Sequence, residues 1–300
     1  MSSTQQELTW VVVGQGAIGL LAACRLQQAQ YPVTLWLRQP QNLRVTLQSK
    51  AGATHCQFQS ATKPLQQIFI AVKAYAVKDC LIQLKPVLSQ DAQLVISHNG
   101  MPDLGYLQSV MHCQQGVWFL STSHAALRTP ELVVHTGEGQ SMLSPLNEAA
   151  CRATPQIVDA MTQALGPINL TTDIKPALWR KLAVNAAINP LTAIHNCRNG
   201  ELAAVRFKTQ IAQVIAEVCQ LATLEQIPLE PAETLNYVYT VISATAENYS
   251  SMQQDLFYQR PSEIEAITGF ILQTAARHRL AVPANQALWQ AIMQRQASFR

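Results

Sequence analysis

Two patterns of hydrophobic positions divide the chain. In the first half, the short apolar runs "TWVVVG", "VTLWL", "QIFIAV" and "QLVIS" predict strands, and helix-like stretches including Ala17–Gln28 and Ala76–Leu84 lie between them. Because these strands are apolar throughout, they are typical of a parallel sheet that is covered on both faces. Two later runs between Gly116 and Pro145 lack long helices, and we expect them to form strands added at one edge of the sheet.

The pattern changes to helices after "INLTTD" at residues 168–173. Asp173 is suited to cap a helix, Pro176 is tolerated in a first turn, and Pro190 should kink or end that helix. Further helices are predicted over Gln210–Gln226, Ala232–Asn248 and Glu263–His278. The predicted fold is therefore α/β, with an N-terminal Rossmann-type doubly wound sheet domain (1–172) and a C-terminal all-α domain (173–300).

Composition agrees with two globular domains and excludes several classes of partner. The chain has 300 residues, of which 48% are hydrophobic and 13% are charged, and its net charge is +3. Scattered basic residues give no reason to expect nucleic acid or a membrane as a partner. Seven separated cysteines without a C-x-x-C pair predict reduced thiols in a cytoplasmic protein, and no metal site is predicted.

The segment "VVVGQGAIG" places Gly14, Gly16 and Gly19 directly after a predicted strand and at the start of a helix. The first glycine permits a tight turn, the second lets the backbone approach a pyrophosphate, and the third lets helix and strand pack closely. Amide groups at the helix start then bind phosphate oxygens. The segment therefore predicts a dinucleotide site, and a tight turn without a ligand is the alternative.

Polar residues follow the other predicted strands. Arg38 ends the second strand about twenty residues beyond the glycines, where an NAD site usually has an acid. A guanidinium pairs with a 2′-phosphate, so NADP is the predicted cofactor and a solvated surface arginine is the alternative. Lys73 in "IFIAVKAY" and Asn99 in "LVISHNGM" are expected to face the nicotinamide or the substrate, although either alone fits an ordinary loop.

Lys181, Asn185 and Asn189 recur every four residues in "WRKLAVNAAINPL" and form one stripe on a helix. The residues between them are small or apolar, so we expect the helix to be buried on most sides. A buried amide without partners costs about 1 to 3 kcal/mol, which favours a polar ligand over a solvated face. The lysine is suited to give a proton to a substrate oxygen, with a pKa lowered by desolvation or by Arg180.

A second polar group lies in "ENYSSMQQDLFYQRPSEIEAITGF". Ser262 and Glu265 fit a capping box, which makes Glu263 the first residue of a new helix. Ser250 and Ser251 precede the break at Pro261, where a loop can meet a carboxylate ligand. Capping explains Ser262 and Glu265 but not Ser250 and Ser251.

These segments together resemble the ketopantoate reductases of pantothenate biosynthesis. The resemblance extends over nearly the whole chain, through "GQGAIG", "VKAY", "HNGM", "TSHAA", "LWRKLAVNAAINPLTAIHNCRNGEL", "YSSMQQDL" and "SEIEAITGF". It implies an enzyme that transfers a hydride from NADPH to the 2-oxo carbon of ketopantoate and releases (R)-pantoate. It also implies a cleft between a Rossmann domain and a helical domain.

The resemblance further implies roles for individual residues. Lys181 corresponds to the lysine that protonates the forming alkoxide, and Glu263 to the acid that supports it and the bound ligands. Asn185 and Asn189 correspond to ligands of the substrate hydroxyl, and Ser251 to a ligand of its carboxylate. Asn99 is implied to contact both substrate and cofactor. The implied cofactor-binding residues are Gly14, Gln15, Gly16, Ala17, Ile18, Gly19, Arg38, Lys73, Asn99, Ala125 and Glu263.

One residue departs from the family pattern, and two other functions stay open. Pro102 stands where the family has the second glycine of N-G-x-G, so the loop is expected to differ in shape. A reductase of another small 2-oxo acid has the same fold. A regulator that binds NADPH without chemistry is the other alternative, although it needs neither Lys181 nor Glu263. The predicted partner is a small-molecule substrate, and both a monomer and a homodimer fit.

Overall fold

Residues 9–299 are described by a computed structural model of the chain, and they separate into two units. Of the described residues, the first unit comprises 9–98 together with Asp103–Ile174, and the second comprises Asn99–Pro102 together with 175–299. The main division follows Ile174 rather than Thr172. The segment Asn99–Pro102 belongs to the helical unit although it follows a strand of the sheet.

The first unit alternates strands and helices. Its elements are β1 (Trp10–Val13), α1 (Ala17–Gln28), β2 (Val33–Trp36), β3 (Leu43–Ser49), β4 (Gly52–Ser60), β5 (Leu65–Ile70), α2 (Val77–Leu84), β6 (Leu88–Ile96), α3 (Leu104–Val110), β7 (Gly116–Thr122), β8 (Ala125–Arg128), β9 (Leu132–Gly137), β10 (Ser141–Pro145), α4 (Glu148–Arg152), α5 (Thr154–Leu165) and β11 (Ile168–Leu170).

The sheet order is β11-β10-β7-β6-β5-β1-β2-β4-β3-β9-β8. β1 pairs in parallel with both β2 and β5, so Val13 lies opposite Trp36 on one side and opposite Ile70 on the other. β1 is buried along its whole length, and β5 at all but one residue, as their apolar sequences predict. The carboxyl ends of β1, β2 and β5 consequently meet at the same edge of the sheet.

The prediction that the strands of 116–145 extend one edge is wrong. β7 continues the parallel sheet beside β6, and β10 pairs with it in antiparallel fashion. β9 instead pairs with β3 at the opposite edge, and β8 pairs with β9. The hairpin of β3 and β4, which the apolar pattern did not reveal, provides that second edge, and β8 and β9 pack against α1.

The second unit is helical. It contains α6 (Lys175–His195), a 3-10 turn (Asn199–Ala203), α7 (Val205–Leu224), α8 (Pro231–Ala244), α9 (Ser251–Phe257), a π-helical turn (Glu265–Gly269), α10 (Phe270–His278) and α11 (Pro283–Ala297). α6 packs against α7, α8, α9 and α11, and this central position buries it. Among the described helices, none is long and apolar enough to cross a membrane.

α6 differs from its sequence prediction at both ends. It begins at Lys175, so Asp173 lies one residue before the cap position. The helix also continues past Pro190 to His195, so of the two predicted outcomes, a kink or an end, the proline does not end it. Neighbouring helices bury this part of α6. Pro190 has no backbone N–H to donate, and the Thr192 hydroxyl adds hydrogen bonds nearby by donating to the carbonyl oxygens of Ile188 and Asn189.

Candidate active site

The glycine turn connects β1 to α1 as the sequence predicts. Gly14 has a φ of +87°, a conformation that favours glycine, and Gly16 occupies the N-cap of α1. A Cβ at Gly19 would lie 3.4 Å from the Ala71 Cβ, so this glycine keeps α1 close to the residue after β5. Because the cap residue has no side chain, the amide groups of the first helical turn have no side-chain acceptor there, and phosphate oxygens fit that role.

Two predicted cations follow strands that flank this turn. Arg38 is exposed two residues beyond β2, and Lys73 is half-buried after β5, where its carbonyl oxygen accepts a hydrogen bond from the amide of Ala76. Ala125 is the first residue of β8. Gly14, Arg38 and Lys73 therefore lie beyond neighbouring strand ends, at the edge where open α/β sheets bind ligands.

A third cation near the turn was not predicted. Arg128, the last residue of β8, donates from Nη2 to the side-chain oxygen Oε1 of Gln15 over 2.8 Å. The two residues are 113 positions apart in the chain. Local sequence patterns carry no signal for this contact, because it depends on β8 packing against α1.

In the second unit, the polar stripe lies on an otherwise buried face of α6. Asn189 is 7% exposed, whereas Lys181 and Asn185 are half-buried. The intervening residues Ala183 and Ala186 are fully buried. The sequence correctly predicted a helix that is buried on most sides, and of the three polar side chains Asn189 is itself buried.

Burial lowers the pKa of Lys181 from 10.5 to about 8, and the negative charge of Glu263 opposes this shift. Desolvation disfavours the charged ammonium, which explains the direction. Arg180, the alternative cause considered from the sequence, does not contribute; its guanidinium lies 5.9 Å from the ring centroid of Tyr237. The lysine is therefore a weaker base than usual and exchanges its proton near neutral pH.

Glu263 is 5% exposed, and its Oε2 accepts a hydrogen bond from Asn99 Nδ2 over 3.1 Å. A buried carboxylate needs such partners, because an unsatisfied charge in the interior is costly. The contact joins two predicted site residues that are 164 positions apart. It also places the Asn99 side chain in the helical unit.

The backbone beside Asn99 is packed against the π-helical turn. Gly100 has a φ of +81°, and a Cβ there would lie 2.4 Å from the Ala266 carbonyl oxygen. The Met101 amide donates to the same oxygen over 2.8 Å. The next residue, Pro102, is buried. Proline has no backbone N–H, but this contact is unaffected because its donor is the Met101 amide.

The predicted capping box at Ser262 and Glu265 is wrong. The Ser262 hydroxyl accepts from the Ile264 amide over 3.3 Å, and the Ser262 amide donates to Gln296 Oε1 rather than to Glu265. Glu263 precedes the helix, which opens as a π turn: the Phe270 amide donates to the Glu265 carbonyl oxygen, five residues back. The Ala266 carbonyl oxygen is therefore accessible to Met101, and such turns recur at functional sites.

The two serines before α9 have different surroundings. Ser250 is 6% exposed and caps α9, since its Oγ accepts from the Gln253 amide over 3.1 Å. Its hydroxyl is also hydrogen-bonded to that of Thr192 over 2.7 Å, which fixes the start of α9 to α6. Ser251 is exposed as the first residue of α9. Of the two, Ser251 is the serine whose position suits a ligand.

The glycine turn on a parallel sheet and the lysine and buried glutamate on a helical unit define a class, the dinucleotide-dependent oxidoreductases with a Rossmann-type unit and an all-α unit. Residues 10–148 match the family model described as ketopantoate reductase PanE/ApbA, and residues 173–296 match the model of its C-terminal part. The chain therefore belongs to the ketopantoate reductase family.

Relatives and solved structures agree with this assignment. The chain is 41% identical over 287 residues to the 2-dehydropantoate 2-reductase of Vibrio cholerae, across 94% of this chain and 96% of that protein. A PanE/ApbA family ketopantoate reductase from Ralstonia eutropha superposes with a TM-score of 0.85 at 21% identity, covering 97% of this chain and 99% of the other. D-mandelate dehydrogenase, solved with NADH and anilino(oxo)acetate, gives a TM-score of 0.87 at 19% identity with the same coverage. The likeness to these two structures shows the fold alone.

Proposed function

We propose that this protein catalyses the NADPH-dependent reduction of 2-dehydropantoate (ketopantoate) to (R)-pantoate. The observation that carries the proposal is Lys181, whose pKa is lowered to about 8 by burial on α6, with Glu263 acting in the opposite direction. The family and the 41% identity to the Vibrio cholerae enzyme support the choice of substrate. An NADPH-binding regulator without chemistry has no use for a lysine tuned in this way.

The first unit holds the cofactor, which supplies a hydride when bound. Amide groups at the start of α1 bind its pyrophosphate, and Arg38 pairs with its 2′-phosphate. Lys73 and the backbone of Ala125 also contact the cofactor from this unit. The uncapped first turn of α1 and the exposed position of Arg38 fit these roles.

Lys181 provides the proton that the reaction needs. Hydride addition to the 2-oxo carbon breaks the carbonyl π bond and builds negative charge on the oxygen, and the Lys181 ammonium donates a proton to that oxygen. With a pKa of about 8, about nine-tenths of the lysine is protonated at pH 7. Burial favours the neutral amine that is left, which then recovers a proton from solvent.

The remaining residues of the second unit bind and orient the substrate. Asn185 and Asn189 offer amide groups to its hydroxyl, and Ser251 offers its hydroxyl to the carboxylate. Glu263 orients Asn99 through their hydrogen bond and raises the pKa of Lys181, which keeps more of the acid protonated. Asn99 thereby has a fixed position from which to contact both ligands.

A steady-state assay tests the function. The purified chain is given ketopantoate and a panel of other 2-oxo acids, each with NADPH and with NADH, and kcat/KM is compared. We expect the highest value for ketopantoate with NADPH. A chain that binds NADPH but turns over none of these acids would contradict an enzymatic role.

A second candidate is a reductase of a different 2-oxo acid. The similarity to D-mandelate dehydrogenase, with a TM-score of 0.87, favours its inclusion, since that fold also accommodates an aromatic substrate analogue. The same panel separates the candidates when it contains an aromatic 2-oxo acid. A higher kcat/KM for that acid than for ketopantoate would select the second candidate.

A further inference from the structure

Arg128 lies at the glycine turn without an anionic partner from the described residues. Its guanidinium donates to the Gln15 amide oxygen over 2.8 Å, and Gln15 is the residue between the first two glycines. Within residues 9–299, no carboxylate forms an ion pair with Arg128. An arginine is permanently charged, so this contact places a positive charge beside the start of α1.

The surroundings of this cation favour an anion. The amino end of α1 carries the positive end of the helix dipole, which repels a guanidinium and attracts negative charge. Gln15 occupies one of the five N–H donors of the guanidinium, and the others remain for further acceptors. An anion bound at the amide groups of the turn would therefore meet positive charge from the helix and from Arg128.

The position of Arg128 also distinguishes it from Arg38. Arg128 reaches the turn from β8 and contacts the residue between Gly14 and Gly16, whereas Arg38 lies beyond β2. The glycine turn is the part of the site that approaches the pyrophosphate. The two arginines are thus placed for different phosphates of one dinucleotide.

We propose that Arg128 is a further cofactor-binding residue that pairs with the pyrophosphate, held in position by Gln15. This inference rests on the proposed function. Because NADPH and NADH share the pyrophosphate, Arg128 contributes to the binding of both, whereas Arg38 contributes only where a 2′-phosphate is present. Gln15 is a positioning residue, since its side chain acts through the guanidinium.

Binding titrations of the purified chain test this division. NADPH and NADH are titrated by their fluorescence, and 2′-AMP, which has a 2′-phosphate but no pyrophosphate, is measured by competition. For Arg128→Ala, we expect Kd to rise about 10- to 100-fold for NADPH and NADH alike, while 2′-AMP binds as before. Arg38→Ala should also weaken NADPH, but it should weaken 2′-AMP as well and leave NADH nearly unchanged. The matched control is Arg152→Ala, an exposed arginine on α4 in a region away from the glycine turn.

A double-variant comparison tests the role of Gln15. Gln15→Ala should weaken both dinucleotides in the wild-type background but have no further effect on Arg128→Ala, because its contribution passes through the guanidinium. Arg128→Lys keeps the charge and loses the planar donor pair, so an intermediate loss on both dinucleotides is expected. This variant also provides the comparison if Arg128→Ala fails to fold.

Unchanged binding of both dinucleotides by Arg128→Ala, or by Arg128→Lys in its place, would overturn the inference. A loss limited to NADPH would also overturn it, because it would assign Arg128 to the 2′-phosphate. In both cases the wild-type chain still binds NADPH and the proposed function stands. A wild-type chain that binds neither dinucleotide would instead overturn the proposed function together with this inference.

Discussion

The two units place their charged groups in different surroundings. In the first, Arg38 and Arg128 are exposed at strand ends and loops, beside a glycine turn that offers backbone amide groups. In the second, Glu263 is buried, and Lys181 has a pKa lowered to about 8. Permanent charges at a surface suit the binding of phosphates, whereas burial is what gives a lysine a pKa near neutrality.

This difference assigns distinct consequences to substitutions in each unit. Changes in the first unit should alter cofactor affinity and leave the chemical step intact. Changes at Lys181, Asn185 and Asn189 in the second unit should alter the chemical step, its pH dependence or substrate binding and leave cofactor affinity largely intact, whereas Asn99 and Glu263 are proposed to act on both ligands. Experiments that mix these outcomes would break the comparison.

The largest effect is expected for Lys181→Met. General acid catalysis contributes about 10²- to 10⁴-fold, so kcat should fall by that factor, while the Kd for NADPH stays within about threefold of wild type. Single-turnover kinetics and fluorescence titration measure the two quantities. Lys208→Met, an exposed lysine on α7, is the matched control. An unchanged kcat would refute the role of Lys181 as the acid.

Gly100→Ala should have the next largest effect. The positive φ and the approach of 2.4 Å to the Ala266 carbonyl oxygen leave no room for a Cβ, so Asn99 should move away from Glu263. A shift of this kind costs up to about 10²-fold in kcat/KM. Gly105→Ala on α3 is the control, because a Cβ there would meet only Asp103 Oδ1 at 3.7 Å. Equal kcat/KM for both variants would show that the packing of Gly100 does not position Asn99.

Arg38→Ala tests whether the first unit acts on cofactor affinity and not on the chemical step. Loss of a charge-assisted contact to the 2′-phosphate should raise the Kd for NADPH by about 10- to 100-fold, and the Kd for NADH should stay within a few-fold. At saturating NADPH, kcat should remain near wild type. Equal losses of affinity for both dinucleotides, measured by titration, would remove Arg38 from the 2′-phosphate.

The smallest effect concerns pH. Because Lys181 acts as an acid, kcat should fall as the pH rises through about 8, the pKa of the lysine, rather than through 10.5. The charge of Glu263 raises that pKa, so Glu263→Gln should lower it further and move the basic limb of the profile to lower pH. Profiles of kcat from pH 6 to pH 10 measure this; a limb that stays in place would show that Glu263 does not act on the lysine.

Local patterns predicted some features closely and others not at all. The glycine turn and α1, observed at the predicted residues 17–28, depend on neighbouring residues only. The β3–β4 hairpin was missed because many of its exposed positions are polar and it lacks a continuous apolar run. Without that hairpin in the prediction, the edge of the sheet to which β8 and β9 belong could not be predicted either. The capping box failed because Gln296, 34 residues away, supplies the acceptor for the Ser262 amide.

The candidate site shows the same limit. The stripe of Lys181, Asn185 and Asn189 is visible in the sequence because helical periodicity places it on one face. The contact of Asn99 with Glu263 and that of Arg128 with Gln15 join residues more than 100 positions apart. Their geometry depends on tertiary packing, which no periodicity records.

The π-helical turn has a consequence for how this part of the protein can change. Its wide winding diverts the Phe270 amide to Glu265, and the Ala266 carbonyl becomes the backbone anchor of the Asn99–Pro102 segment. The hydrogen bond from the Met101 amide to the Ala266 carbonyl oxygen therefore depends on the number of residues in the turn and not on any side chain. Most single substitutions at residues 265–269 would preserve it, whereas deletion of one residue would restore α-helical winding and return that carbonyl to the helix.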